Sequence, residues 1–131
     1  MIALPDAALE LLRSTNLAHL ATINPDGSPQ VTPVWVHELG GQPVMNTAVG
    51  RRKERTIRRD PRVTIEITDE RDPDRYVEIR GLAELVLEGA REHAEARSHK
   101  YTGEPFDGFE PGVDRVIILV APLRAFVRLG D

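Results

Sequence analysis

The chain has 131 residues, no cysteine, a formal net charge of −4, and 40% hydrophobic and 29% charged residues. These values predict one globular domain spanning residues 1–131, and they exclude disulfides, thiolate catalysis and cysteine-ligated metals. The acidic balance argues against nucleic-acid binding. The lack of a signal peptide or of an apolar run of ~20 residues predicts a cytoplasmic protein without membrane contact.

The first half of the chain is predicted to contain one helix followed by three strands. Residues 4–15 carry apolar side chains at helical spacing. Two β-prone runs, 17–23 and 29–38, flank an Asp-Gly turn, which predicts a hairpin. A third strand over 43–48 follows a glycine-containing turn. This punctuation predicts an antiparallel meander of three strands.

The second half alternates between helices and longer strands. Strong helix formers continue from the basic segment up to Asp60-Pro61, where the helix is expected to stop. Gly81 is predicted to mark a bulge or bend within its strand. The remaining predicted elements are a strand (62–68), a polar loop (69–74), a strand (75–88), a helix closing at Gly103 (89–103), a loop (104–112) and two strands (113–122 and 123–130).

The resulting element list predicts a mostly β fold. It contains six to seven antiparallel strands and two to three short helices. Short, evenly spaced strands in one small unit favour a closed or nearly closed antiparallel β-barrel. An open α+β sheet is the alternative.

The segment 50–62 (GRRKERTIRRDPR) carries seven basic and two acidic side chains in an otherwise acidic chain. Arg51 and Lys53 directly follow a strand and open a helix, where backbone amides and the helix dipole favour an anion. Arginine binds phosphate bidentately and lysine adds a point charge. These two residues are therefore predicted to bind a phosphate. A solvated helix face, paired with the acidic loop 69–74, is the alternative for the cluster as a whole.

No side-chain constellation for catalysis is evident. The four histidines form no metal-binding motif, and no nucleophile motif or dinucleotide fingerprint is present. Any chemistry is then expected to be carried by a bound cofactor. Pro33 lies within a predicted strand, which indicates an edge strand or an interrupted ladder, and such a break leaves backbone groups free to meet a ligand. Trp35, the single tryptophan, is open to a role at that site or in packing.

These stretches, LATINPDGSPQVTPVWV and NTAVGRRKERTIRRDPRV, resemble the pyridoxamine 5′-phosphate oxidase-like split β-barrel family. Within that family, the chain is more similar to the subgroup that uses the deazaflavin coenzyme F-420. The resemblance is densest over residues 17–68 and continues to residue 127. It implies an FMN-binding-type split barrel that works as a homodimer, with two cofactor sites at the subunit interface.

The resemblance also implies which residues bind the cofactor. Arg51 and Lys53 match the pair that holds its phosphate. The remaining matches are two strand segments, one lining the cofactor ring (Thr32, Pro33, Val34, Trp35) and one leading into the phosphate site (Asn46, Thr47, Ala48). Tyr76 is a weaker match and would reach the site from the other subunit. No catalytic side chain and no metal are implied.

By resemblance, the expected function is hydride transfer between coenzyme F-420 and an unsaturated small molecule. An FMN-dependent oxidase or reductase of the same fold is the first alternative, because FMN also presents a phosphate. A non-catalytic protein that binds a cofactor or tetrapyrrole is the second. Arg55, Arg58 and Arg59 are candidates for the anionic tail by which the deazaflavin extends past its phosphate. The substrate-phosphate residues of the true pyridoxamine phosphate oxidases have no match in the chain.

Overall fold

The computed structural model describes residues 1–130, in which seven antiparallel strands form one sheet and three helices flank it. The elements in chain order are α1 (Asp6–Arg13), β1 (Ala18–Ile23), β2 (Pro29–Val34), β3 (His37–Leu39), β4 (Gln42–Ala48), α2 (Arg52–Arg59), β5 (Arg62–Asp69), β6 (Asp72–Val86), α3 (Ala90–Thr102) and β7 (Arg115–Leu129). The predicted mostly β class is confirmed. No helix in this part of the chain is long and apolar enough to cross a membrane.

The sheet curves on itself so that its two edges approach each other. The strand order is β2-β1-β5-β6-β7-β4-β3, which leaves β2 and β3 at the edges. β2 ends at Val34 and β3 begins at His37. Three peptide steps span at most about 11 Å, so the two edges lie close together at this crossing. This arrangement is a split barrel.

Helix α1 covers the interior of the barrel. It packs against β3, β5, β6 and β7, and it buries Ala8, Leu11 and Leu12. The core beneath it consists of aliphatic side chains on alternate strand positions, including Leu20, Met45, Ile65, Ile67, Val77, Ile79, Ile118 and Val120. The inward-facing side chains of the strands and the apolar face of α1 therefore form one core.

The crossing between β2 and β3 is fixed by helix α3. Lys100 Nζ donates to the carbonyl oxygens of Leu12 (2.8 Å) and Val36 (2.6 Å). The Tyr101 hydroxyl donates to the Asn16 carbonyl oxygen (2.9 Å) and accepts from the Val36 N–H (3.2 Å). Backbone groups that leave the ladder at the crossing are thus satisfied by side chains.

The predicted three-stranded meander is wrong. The β1–β2 and β3–β4 hairpins are both present, but the predicted strand 29–38 breaks at Trp35-Val36. Its second half pairs with β4 at the opposite edge of the sheet. Closing the barrel forces this break, because one straight strand cannot belong to both edges.

Two further boundaries also differ from the prediction. The segment 69–74 is a tight turn at Glu70-Arg71 rather than a loop, and β6 already begins at Asp72. The two strands predicted over 113–122 and 123–130 form a single strand, β7. Pro122 has no backbone N–H to donate to a neighbouring strand. It is tolerated in β7 because β4 pairs with β7 only up to Leu119, so no carbonyl oxygen of β4 lacks a hydrogen bond at this position.

Candidate functional site

Four cationic side chains converge on one cavity of about 470 Å³. Arg51 and Lys53 come from the start of α2, Arg97 from α3, and Arg115 from the start of β7. The rest of the lining comes from the residue before β1, from the end of β2, from β4 and from the loop before β7: Leu17, Pro33, Val34, Trp35, Asn46, Thr47, Phe106 and Gly108. The crossing from β2 to β3 and the N-terminus of α2, where a phosphate site is predicted, therefore lie at the same cavity.

The turn from β4 into α2 places Arg51 and Lys53 at the cavity. Gly50 has a φ of +92°, a left-handed conformation that glycine adopts without steric cost. The buried Glu54 carboxylate accepts from the Gly50 N–H (3.3 Å) and from Arg58 Nε (2.9 Å). Because Glu54 is already paired with Arg58, it does not neutralise Lys53.

The cavity is electropositive because its cations are poorly compensated. Burial, and then the charges of Arg97 and Arg51, lower the pKa of Lys53. Burial, and then Arg115, lower the pKa of Arg97 to about 10, so Arg97 remains charged at neutral pH. The pKa of Arg115 is lowered by burial and then by Arg51. A bound anion would raise all three of these lowered pKa values, because it stabilises the charged form of each side chain.

Asn46 on β4 holds the two buried arginines in place. Its backbone oxygen accepts from Arg97 Nη1 (3.1 Å), and its side-chain Oδ1 accepts from Arg115 Nε (2.9 Å). Its Nδ2 lies 2.8 Å from the Ala90 carbonyl oxygen, to which it donates, and 3.0 Å from His93 Nδ1. This one asparagine therefore connects β4, α3 and β7 beneath the cavity.

Trp35 contacts both an aromatic ring and a guanidinium. Its ring stacks on Tyr101 with centroids 5.4 Å apart and an interplanar angle of 7°. The Arg97 guanidinium carbon lies 5.2 Å from the Trp35 ring centroid, within cation–π range. The indole is thereby held at the cavity wall rather than in the barrel core.

The loop over residues 103–114 contributes Phe106 to the cavity wall and carries Glu110, which does not line the cavity but pairs with Arg51. Phe106 donates its N–H to Glu95 Oε2 (3.0 Å), and its ring packs edge-on against Phe109 with centroids 4.7 Å apart. Arg115 lies 4.9 Å from the Phe106 centroid. Glu110 forms an exposed ion pair with Arg51 (3.2 Å), which is weakly held because both side chains are more than half exposed to water.

A histidine pair lies near the cavity, with His93 buried and His37 half-buried. The rings of His37 and His93 are 5.7 Å apart, and His37 Nδ1 and His93 Nε2 have no hydrogen-bond partner among the described residues. Burial, followed by the charges of His37 and Arg97, lowers the pKa of His93 to about 4. The pKa of His37 is lowered too, first by burial and then by Lys100.

This pKa predicts a loss of stability in mild acid. Because His93 titrates near pH 4 when folded and near 6.5 when unfolded, protons bind preferentially to the unfolded chain between these values. Its contribution to stability is complete above pH 6.5 and falls by up to ~1.4 kcal/mol per pH unit down to about pH 4. Urea unfolding at a series of pH values gives the free energy of unfolding between pH 7 and pH 4. This free energy should fall less steeply with decreasing pH in His93→Phe than in the wild type. An equally steep fall in both proteins would contradict the assignment.

Seven of the ten cofactor-binding residues predicted from the sequence line this cavity: Pro33, Val34, Trp35, Asn46, Thr47, Arg51 and Lys53. Thr32 and Ala48 lie next to lining residues on β2 and β4 but do not themselves line it. Tyr76 lies elsewhere, on β6, with its ring centroid 6.2 Å from that of Phe126. Whether these residues bind a cofactor remains a prediction.

Arg97, Phe106 and Arg115 line the cavity but were missed by the sequence analysis. Arg97 carried a usable signal, since it lies on the buried side of α3 with Ala90 and Ala94. A cation on the apolar side of a helix normally has a partner.

The other cavities offer less chemistry. One of about 730 Å³ is lined mainly by β1, β5 and β6, and one of about 650 Å³ by Tyr76, Phe126 and neighbouring strand residues. Among the described residues that line them, the first has three arginines but no aromatic ring, and the second has aromatic rings but only two arginines. Within residues 1–130, no group of three or more histidine or acidic side chains could hold a metal ion.

The basic side chains along α2 have separate partners. Arg55 Nη1 donates to the Gly50 carbonyl oxygen (2.9 Å), and Arg59 donates to the Ile23 carbonyl oxygen. Arg62 pairs with Asp60. The alternative, in which this cluster pairs with the acidic segment 69–74, is not seen in the described residues, where Asp69 pairs with Arg71 and Arg75.

Comparisons with known proteins agree on one family. A family model described as pyridoxamine 5′-phosphate oxidase matches residues 4–128. A solved structure called F420 reductase is 32% identical over 94% of this chain and 98% of its own, with a TM-score of 0.84. The conserved hypothetical protein Rv2991 from Mycobacterium tuberculosis is 29% identical over 97% of this chain and 86% of its own, with a TM-score of 0.78.

More distant structures share the fold alone. General Stress Protein 26 from Bacillus anthracis has a TM-score of 0.72 at 16% identity, over 94% of this chain and 92% of its own. No curated protein is significantly similar to the sequence.

Proposed function

Because the chain belongs to the pyridoxamine 5′-phosphate oxidase family, we propose that it is an oxidoreductase that transfers a hydride between the deazaflavin coenzyme F-420 and an unsaturated small molecule. The observation that carries the proposal is the electropositive cavity at the start of α2. There, Arg51 and Lys53 stand at a helix N-terminus beside the crossing of the sheet.

The residues present fit a phosphate-bearing cofactor. Lys53 is half-buried and forms no hydrogen bond or ion pair within residues 1–130, so its charge is available to a ligand. Arg51 has only the exposed Glu110 as its acidic partner, which a phosphate can displace. Backbone amides at the first turn of α2 add to the attraction.

The chain's own residues bind and orient. When bound, a reduced deazaflavin or flavin supplies the hydride. Trp35 and Phe106 provide apolar walls that exclude water, and Thr47 and Asn46 provide polar groups at the end of β4. Among the described residues that line the cavity there is no carboxylate and no histidine. The protein's contribution is therefore positioning and electrostatics rather than side-chain acid–base catalysis.

The choice of deazaflavin over FMN is supported by the F420 reductase neighbour and by Arg55. Arg55 is exposed and bonded only to the Gly50 carbonyl oxygen, so it can meet the carboxylates of a tail that continues past the phosphate. Arg58 and Arg59 are engaged by Glu54 and by the Ile23 carbonyl oxygen. This leaves Arg55 as the strongest tail candidate of the three.

Parallel calorimetric titrations with coenzyme F-420 and FMN test the proposal. We expect F-420 to bind more tightly, and Arg55→Gln to weaken F-420 binding while leaving FMN binding unchanged. Tighter FMN binding would replace the cofactor and favour an FMN-dependent oxidase or reductase. Tight binding without reduction of any enone or quinone in a broad panel would favour a non-catalytic carrier.

The proposal includes a homodimer with the cofactor sites at its interface. Large apolar side chains are exposed on β2, β6 and β7, namely Val31, Leu82, Leu123, Phe126 and Leu129. Tyr76 lies on the same strands, so a second copy can present it to a cavity that it does not reach within its own chain. Sedimentation equilibrium should give twice the mass of 14.6 kDa, and a monomer would contradict this part.

A further inference from the structure

We propose that Arg97 and Arg115 form a second anion-binding subsite, distinct from Arg51 and Lys53, that takes the carboxylate of a planar conjugated substrate. This inference deepens the proposed function and rests on it for the word substrate. The binding subsite itself is argued from the described residues alone.

The charge of the cavity exceeds what one cofactor phosphate can neutralise. Four cations line it, and Glu110 pairs with only one of them, Arg51. Lys53, Arg97 and Arg115 have no ion pair within residues 1–130. A phosphodiester brings a single negative charge, so a net positive charge remains beside the apolar walls when that phosphate is bound.

The two buried guanidinium groups have donors to spare. Arg97 is 8% exposed and Arg115 is 7% exposed, yet each lines the open cavity. Arg97 uses Nη1 on the Asn46 backbone oxygen, while its buried Nε has no partner within residues 1–130. Arg115 uses Nε on the Asn46 side chain. A guanidinium has five N–H donors. Apart from Arg97 Nε, no nitrogen of either guanidinium is both buried and unpaired among the described residues, so the remaining Nη donors are open to a ligand that enters the cavity.

The surroundings of this pair differ from those of the phosphate pair. Arg97 lies over the rings of Trp35 (5.2 Å) and Phe106 (5.7 Å), and Arg115 lies over Phe106 (4.9 Å). Arg51 and Lys53 instead stand at the first turn of α2, with no such aromatic contact among the described residues. Two flat cations flanked by two aromatic rings match a ligand that is itself flat and anionic.

The Asn46 contacts fix the geometry of this subsite. One residue accepts from both guanidinium groups, and its Nδ2 is held by the Ala90 carbonyl oxygen. The arginines are thus aligned before any ligand arrives, which lowers the entropic cost of binding. Such a subsite selects conjugated carboxylates over neutral analogues of the same shape.

The test uses sorbate, a planar conjugated carboxylate, and its neutral amide, sorbamide, each titrated against the cofactor-free protein. Trp35 lines the cavity and is the only tryptophan, so its emission reports binding directly. We expect sorbate to bind at least ~10-fold more tightly than sorbamide, and Arg97→Gln to weaken sorbate binding by roughly 10- to 100-fold. Arg97→Lys keeps the charge but not the forked pair of donors, so its sorbate affinity should lie between that of the wild type and that of Arg97→Gln. It also provides a second variant if Arg97→Gln does not fold.

The controls separate the two subsites. Arg91→Gln removes an exposed cation of the same helix that does not line this cavity, and it should leave sorbate affinity unchanged. Arg51→Ala with Lys53→Ala should reduce sorbate affinity far less than Arg97→Gln does. Arg97→Gln should retain F-420 or FMN binding.

The result that overturns the proposal is equal affinity for sorbate and sorbamide, no measurable sorbate binding, or equal losses in the two sets of variants. Equal losses would mean that the four cations form one anion site. If neither cofactor binds the wild type while sorbate binding depends on Arg97, the proposed function fails and the anion subsite stands.

Discussion

Replacing Arg51 and Lys53 together by alanine is expected to weaken binding of the phosphate-bearing cofactor by ~100-fold or more. Each side chain can make a charge-assisted hydrogen bond to phosphate, worth ~1.5–3 kcal/mol, and tenfold in affinity corresponds to ~1.4 kcal/mol. Lys53 forms no ion pair within residues 1–130, and Arg51 has only an exposed one, so their charge is free to act on a ligand. Calorimetry with the preferred cofactor measures the loss.

A matched variant separates phosphate contact from general charge. Arg52→Ala with Arg59→Ala likewise removes two cations from α2; both are exposed, and neither lines the cavity. This control should lose far less affinity. Both double variants should keep the wild-type circular dichroism spectrum, because none of the four side chains is part of the hydrophobic core. Unchanged affinity without Arg51 and Lys53 would place the phosphate elsewhere.

Gly81→Val is expected to destabilise the fold by roughly 3 kcal/mol, at the upper end of what overpacking costs. A Cβ atom at Gly81 would lie 2.3 Å from the Ala121 carbonyl oxygen and 2.8 Å from Val120 Cγ1. The first of these neighbours is backbone of β7, paired with β6 at the register shift between Arg80 and Gly81, so it has little freedom to move. Urea unfolding measures the change.

Glu84→Val is the matched control for β-branching in the same strand. Glu84 is exposed on β6, so its replacement should change the free energy of unfolding by no more than ~0.5 kcal/mol. A Gly81→Val protein as stable as this control would show that β7 can shift to make room, against the close approach seen here.

Residues that end helices and strands allowed much of the fold to be predicted from the sequence. Asp60-Pro61 ends α2 at Arg59 and starts β5 at Arg62, and Gly103 closes α3 in the left-handed conformation with a φ of +72°. Such stops depend on neighbouring residues only. The break at Trp35-Val36 has a different cause, since it follows from β3 pairing at the far edge of the sheet. No neighbouring residue encodes that pairing.

The candidate site also contains some residues that the local sequence predicts and others that only tertiary packing brings together. Arg51 and Lys53 were predicted because they directly follow a strand and open a helix in the sequence. Arg97 and Arg115 reach the cavity only because α3 packs on β4 and β7 and because Asn46 bonds to both. That convergence is tertiary. The sequence can mark Arg97 as a cation on the buried side of α3, but it does not show that Arg97 meets Arg115 at one cavity.

The position of the cofactor phosphate in a crystal of the complex is the most direct measurement. We expect the phosphate within hydrogen-bonding distance of Arg51 and Lys53, with the ring system against residues 32–35 and Arg97 and Arg115 left open to a further anion. A phosphate bound by Arg97 and Arg115, or one located in the cavity beside Tyr76 and Phe126, would contradict this assignment of the site.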